Sequence, residues 1–217
     1  RRQNFCAAEV GQNKAEGLAF RLSTAWGIPI RAYSRHFSEK EFQSEYDTLT
    51  ILLGCVDTTK ARRSLHKALA HGNARNDSQT WLIDGGNLTT HGQVLIGNVV
   101  TDFNPQQSFL LGNVCQSLPA PALVHPELIR RERRPVSTPQ RSCAELAQAD
   151  PQSLTINSII ASHMADYLLR LIITNDLRRF ATYIDMDTGS ARSLATIPTE
   201  LVRVLGLPPA LSGDRSS

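Results

Sequence analysis

No two of the four cysteines, Cys6, Cys55, Cys115 and Cys143, stand in a C-x-x-C pair. The thiolate spacing of a structural zinc knuckle is therefore missing, and no zinc is expected. Cysteines used this way fit a reducing, cytoplasmic compartment. Charge of one sign is also scarce. The net charge of +3 is too small to argue for a nucleic-acid partner. No apolar run approaches the roughly 18–20 residues of a membrane span, and the opening Arg1-Arg2-Gln3-Asn4-Phe5 has no apolar signal-peptide region. A G-x-G-x-x-G turn followed about 20 residues on by a ribose-binding acid is not visible, which weakens a nicotinamide-dependent reading. There is no His-centred triad and no internal repeat.

What is present fits one large domain. The chain has 217 residues, 41% apolar and 20% charged, enough for a real core. Thr50 to Val56 is an almost unbroken apolar run followed directly by Asp57. Such a run reads as a central strand of a parallel sheet. In open α/β sheets ligands bind at the carboxyl ends of such strands, so Asp57 stands where a nucleotide or Mg²⁺ would be met. The pattern around it predicts a helix over 13–26, a strand over 30–37, the strand over 48–57 and a helix over 58–70. It then predicts a short strand over 81–84 turned by Gly85-Gly86-Asn87, and an antiparallel strand over 93–100. Six prolines between 104 and 141 predict a long irregular crossover, in which Arg130, Arg131, Arg133 and Arg134 form a basic run. A short helix over 142–149, a long helix over 153–174 and two strands over 179–186 and 191–197 complete the order. The tail from Gly206 is rich in Pro, Gly and Ser and is expected to fray. The domain is thus expected over 1–205 with a flexible tail over 206–217. The fold class is α/β, a Rossmann-like mixed sheet with flanking helices and an antiparallel C-terminal extension.

Four motifs fall in one order: Arg2-Gln3, then Gly11-Gln12-Asn13-Lys14-Ala15, then Cys55-Val56-Asp57 with Arg62, then Asp84-Gly85-Gly86-Asn87 with Gly92-Gln93-Val94. This order resembles the ThiF/MoeB/ubiquitin-activating superfamily of adenylyltransferases. The later segment, Ser142-Cys143-Ala144 and Gln152 to Asn157 before a long helix, looks most like the ThiF-type proteins of plasmid-associated PRTRC systems. The resemblance implies ATP-dependent adenylylation of the C-terminal glycine of a ubiquitin-like sulfur carrier or modifier, with pyrophosphate released. It also implies ATP and Mg²⁺ as cofactors, a ubiquitin-like or sulfur-carrier partner, and a homo- or heterodimer, with no nucleic acid and no membrane.

By the same resemblance, Arg2 and Lys14 contact the phosphates, Gln3 belongs with them to the ATP-binding set, Asp57 holds Mg²⁺, and Arg62 orients Asp57 or reaches the phosphates. Arg2, Lys14 and Asp57 carry the catalysis. Carboxylate attack on the α-phosphorus brings two anions together, so catalysis rests on positioning and charge neutralisation. A carboxylate is already ionised at neutral pH, so no general base is called for. If the activated carboxylate passes to a thiol, Cys143 is the first candidate and Cys115 the second, whereas Cys55 is expected to be buried in its strand and inert. Asp84 is read either as a functional acid or as a turn-former, and His163 as a core residue.

The sequence departs from the family pattern in several places. Thr58 stands where the family has Asn, and Glu9 where it favours Asp. The family's first strand, glycine-rich nucleotide loop and ribose-binding acid are not found. The chain does not begin with Met, so missing upstream residues are expected, and this piece alone is expected to bind ATP weakly or not at all. These departures keep a second reading open, a non-catalytic scaffold subunit of a heterodimeric activating complex.

Overall fold

A computed structural model of the chain describes residues 6, 9–43, 47–74, 79–108, 115–130 and 154–212. The chain divides into two compact units, Arg1–Phe37 and Ser38–Ser217.

The first unit is organised by helix α1 (Lys14–Trp26). The Asn13 side chain caps it by accepting from the Ala15 and Glu16 amides, and Gly27 ends it with φ 65°, a left-handed conformation that glycine enters without a Cβ clash. Arg21 pairs with Glu9 at 2.9 Å. The expected strand over 30–37 is absent. These residues are irregular and leave Ile30, Tyr33 and Phe37 exposed. Alternating apolar residues become a strand only when a ladder partner satisfies their backbone, and none pairs with them among the described residues.

The second unit is built on a mixed five-stranded sheet in the order β1-β2-β3-β4-β5. Its strands are β1 (Leu49–Gly54), β2 (Gln79–Asn87), β3 (His91–Gly97), β4 (Arg179–Asp185) and β5 (Ser190–Ala195). β1 and β2 are parallel, joined through helix α2 (Thr59–Asn73), and every later pair is antiparallel. This is the α/β, Rossmann-like mixed sheet with an antiparallel extension that the sequence predicts. β1, however, is not central. It lies at the edge of the sheet, with Leu49 and Leu53 about half exposed. An apolar run reports burial potential but not the number of neighbours a strand has.

β2 sets the two faces of the sheet. Its alternate residues Trp81 and Ile83 join the main core with Ile156, Ile160, Met164 and Tyr167 of helix α4 (Leu154–Leu169). Leu82 packs on the other face against Leu65 and Leu69 of α2. The expected turn at Gly85-Gly86-Asn87 is also corrected, because both glycines lie inside β2. A Cβ on Gly85 would come within 2.5 Å of the Met164 sulfur, and one on Gly86 within 2.8 Å of Arg62 Nη2. These glycines serve close packing on both faces of a strand.

Prolines in the crossover start short helices rather than preventing them. Pro105 and Pro126 open single 3-10 turns, and Pro121 opens helix α3 (Pro121–Val124), because proline's missing N–H costs nothing at the first helical position. The predicted helix over 142–149 and most of the basic run lie outside the described residues. α4 continues into a π-helical turn (Arg170–Thr174), closed by Asn175 at φ 50°. Contrary to the sequence expectation, the stretch Thr155–Thr174 is long and apolar enough to cross a membrane by length and composition. Its stripe from Ile156 to Tyr167 is nonetheless buried in the main core. After β5 the chain forms helix α5 (Pro198–Leu205), a further helix that Pro198 opens and Gly206 closes. Part of the expected tail is ordered as a 3-10 turn over Pro209–Ser212.

Candidate functional site

The site begins where β1 ends. The strand stops at Gly54, three residues earlier than the sequence reading places its end, and Cys55, Val56 and Asp57 run out of the ladder. Beyond Gly54, paired with Asp84, β2 continues only with β3 as its partner. Asp57 is exposed immediately before Thr58. Thr58 is the N-cap of α2, its side chain accepting from the Ala61 amide at 3.3 Å. Asn and Thr both cap helices in this way, so Thr58 starts the helix as an Asn at this position would. Asp57 thus stands at the amino end of a helix dipole, where negative charge is favoured.

Arg62 lies one turn into α2. Its Nε donates to Asp84 Oδ2 at 3.1 Å, and the two side chains are 16% and 3% exposed. Asp84 is the buried acid of this region. Burial pushes its carboxyl up to about 6, against the lowering influence of Arg62. Its Oδ1 has no hydrogen-bond partner among the described residues. A Cβ on Gly54 would lie 2.7 Å from that oxygen, so glycine at the end of β1 is what lets the carboxylate approach. Arg62 is therefore anchored on Asp84, and the turn-forming role considered for Asp84 is excluded by its place inside β2.

Arg62 also walls a cleft of about 480 Å³ on the α2 face of the antiparallel strands. Gly86, Gln93, Tyr183 and Arg192 form one register row across β2, β3, β4 and β5 beneath it. Asn87 donates its amide to Asn157 of α4 at 2.8 Å. Arg63, the neighbour of Arg62, donates twice to the Ile129 carbonyl, at 2.9 and 3.3 Å. This pins the segment after α3 against α2 and brings Leu128 to the cleft wall.

The other predicted site residues are distributed unevenly. Lys14 opens α1 in the first unit and is exposed. Arg2, Gln3 and Cys143 lie outside the described residues. Cys55 is not in a buried strand. As a residue it is exposed, but its thiol turns in to 4.0 Å from the Met164 sulfur. Partial burial, with the charge of Asp84, raises its pKa. Burial pushes the Cys115 thiol up to about 12, which removes it as an acceptor. His163 is half-buried rather than in the core, and it lines a surface depression with Asp166 and Arg179. Its imidazole is lowered chiefly by burial and then by Arg179, while Asp166 opposes.

Sequence reasoning missed Tyr183, Arg192 and His125. Their meeting depends on strand register and on where α3 docks, and no local motif announces either. The fold and this site define a mixed α/β domain with an acid beyond the end of β1 and an arginine-walled cleft on its antiparallel strands. Compared with known proteins, the chain matches no family model and no curated protein.

Proposed function

We propose that this chain is the α/β part of an ATP-dependent adenylyltransferase that activates the C-terminal glycine of a ubiquitin-like sulfur carrier or modifier. The observation that carries the reading is the β1–α2–β2 unit. It places Asp57 just beyond the carboxyl end of β1 and next to the α2 N-cap, with Arg62 one turn further and anchored on buried Asp84. Strand ends of this kind are where α/β sheets take their ligands.

The donor set suits Mg²⁺. An exposed carboxylate beside phosphate oxygens is the usual way this ion is held. Bound there with ATP, it would neutralise phosphate charge as the two anions approach. Arg62 contributes a cation whose direction is set by Asp84, and the amino end of α2 adds a favourable dipole for phosphate. The carrier's carboxylate oxygen forms the new bond to the α-phosphorus as the bond to pyrophosphate breaks. No protein group has to remove a proton. Lys14 and Arg2 are assigned to the phosphates on resemblance alone.

ATP–pyrophosphate exchange tests the proposal, using the full-length protein with candidate ubiquitin-like carriers and with Asp57→Ala. Carrier-dependent exchange that falls by at least about a hundredfold in Asp57→Ala is the expected result. Exchange that survives the substitution overturns the assignment of Asp57. Absence of exchange with every carrier favours the scaffold reading, to which the locked Arg62–Asp84 pair would contribute stability alone.

A further inference from the structure

The β4–β5 end of the cleft holds a chain of groups that the adenylylation reading does not use. Tyr183 of β4 points its hydroxyl at His125 Nε2, 2.6 Å away, and His125 Nδ1 lies 2.8 Å from Glu127 Oε1. The two rings meet edge to face, with centroids 5.6 Å apart. His125 is the residue between α3 and the following 3-10 turn, and the Arg63 clamp on Ile129 holds that turn in place. Arg192 is the register partner of Tyr183 on β5 and lines the same cleft. Arg192 is exposed, and its charge also reaches the Glu200 carboxylate, which pairs with Arg203.

The direction of each hydrogen bond follows from the groups. An ionised carboxylate only accepts, so Nδ1 carries the proton shared with Glu127. Glu127 is held below the usual carboxylate range, first by its own backbone N–H and then by His125, which keeps it ionised. A neutral imidazole then accepts at Nε2, and Tyr183 donates to it. Burial raises the Tyr183 phenol, against the lowering influence of Arg192, so the phenol keeps its proton. In this state Tyr183 offers only lone pairs to the cleft. When His125 takes a second proton, Nε2 becomes a donor, the Tyr183 oxygen accepts from it, and the phenolic hydrogen is free to turn towards the cleft beside Arg192.

We propose that this end of the cleft is an oxyanion site, in which Arg192 and the Tyr183 hydroxyl take the phosphate-like or carboxylate group of a ligand and the His125–Glu127 pair sets whether Tyr183 donates to it. Anion binding is thereby linked to proton uptake at His125. The charged and titratable groups around His125 are Glu127 and Arg130 of its own segment, Arg63 of α2, Tyr183 of β4 and Arg192 of β5. His91 and Asp185 lie one row further along the cleft and pair with each other at 3.4 Å. The test has to separate this pair from His125 and Glu127. The inference is independent of the adenylylation reading, because it requires neither ATP nor a carrier.

Sulfate is the probe, since it remains a dianion across the working range and any pH dependence belongs to the protein. Calorimetric titration of the full chain at fixed ionic strength, at about pH 5.5 and about pH 8, reads the binding. Sulfate should bind about tenfold more tightly at the lower pH, the effect of one charge-assisted hydrogen bond. Arg192→Gln and Tyr183→Phe should each weaken binding at the lower pH by about the same factor. His125→Gln should abolish the pH difference, and His91→Gln should leave it in place. Failure of sulfate to bind at the lower pH overturns the proposal. So does a pH dependence that survives His125→Gln or vanishes with His91→Gln, and so does binding indifferent to Arg192→Gln.

Discussion

Asp84 carries more of the site's physics than any other side chain. Its oxygens are divided between a guanidinium and a space with no donor among the described residues, and that space exists because Gly54 has no Cβ. Arg62 gains direction from this arrangement, as a guanidinium whose Nε is committed can present only its outer face to the cleft. Burial also decides which thiols can react. With its thiol pushed up to about 12, Cys115 holds almost no thiolate near neutrality, and thiolate is the species that reacts. Alkylation at about pH 8 followed by peptide mapping should label exposed Cys6 quickly. Cys115 should stay unlabelled for at least about a hundred times longer, in line with its thiolate fraction. Rapid labelling of Cys115 in the folded protein would contradict its placement.

At the scale of elements, the start of α2 matters most, because Asp57, the Thr58 cap and Arg62 all depend on where that helix begins. The Thr58 side chain satisfies one of the amides that a helix leaves unpaired at its amino end. Thr58→Ala should lower the unfolding free energy by about 1 kcal/mol, and Thr58→Asn by no more than a few tenths. Urea unfolding of the two variants checks this. Equal losses in both would mean that the hydroxyl is not acting as a cap. The strands teach a related lesson. Gly85 and Gly86 carry the local mark of a turn, yet β2 runs through them because Met164 on one face and Arg62 on the other fill the space that side chains would take. Alternation over 30–37 signals a strand, but no ladder is offered to it. Periodicity survives translation into structure where packing agrees with it, as in α2, α4, β4 and β5.

At the scale of the whole molecule, Asp84 couples folding to pH. In the unfolded chain this carboxyl ionises near 3.8, and in the fold it holds its proton up to about 6. Between those values the folded state binds more protons, so the contribution of Asp84 to stability falls as pH rises through that window and stays low above it. The difference between 3.8 and about 6 corresponds to on the order of 3 kcal/mol. Other acids, half-buried Asp185 and Glu200 among them, are shifted the opposite way, so the wild-type profile alone mixes both effects. Asp84→Asn separates them. Measured by urea unfolding at about pH 4 and about pH 7, the variant should gain on wild type by up to about 3 kcal/mol across the interval. A constant difference between the two proteins would show that Asp84 is ionised throughout.

The sequence by itself determined the elements whose cause is local. Asn13 and Thr58 cap the helices they precede, Gly27 and Gly206 close α1 and α5, and the stripe from Ile156 to Tyr167 marks the helix that covers the sheet. It also determined the α/β class and the parallel-then-antiparallel order of strands, because length, polarity and turn chemistry are properties of short segments. Only the tertiary structure decided that β1 takes an edge, that Asp84 is buried against Arg62, and that Tyr183 meets His125 across 58 residues of chain. Those outcomes depend on strand register, on which face each side chain is given, and on where α3 docks. Each is set by the packing of distant segments, which leaves no periodic or compositional trace in any one of them.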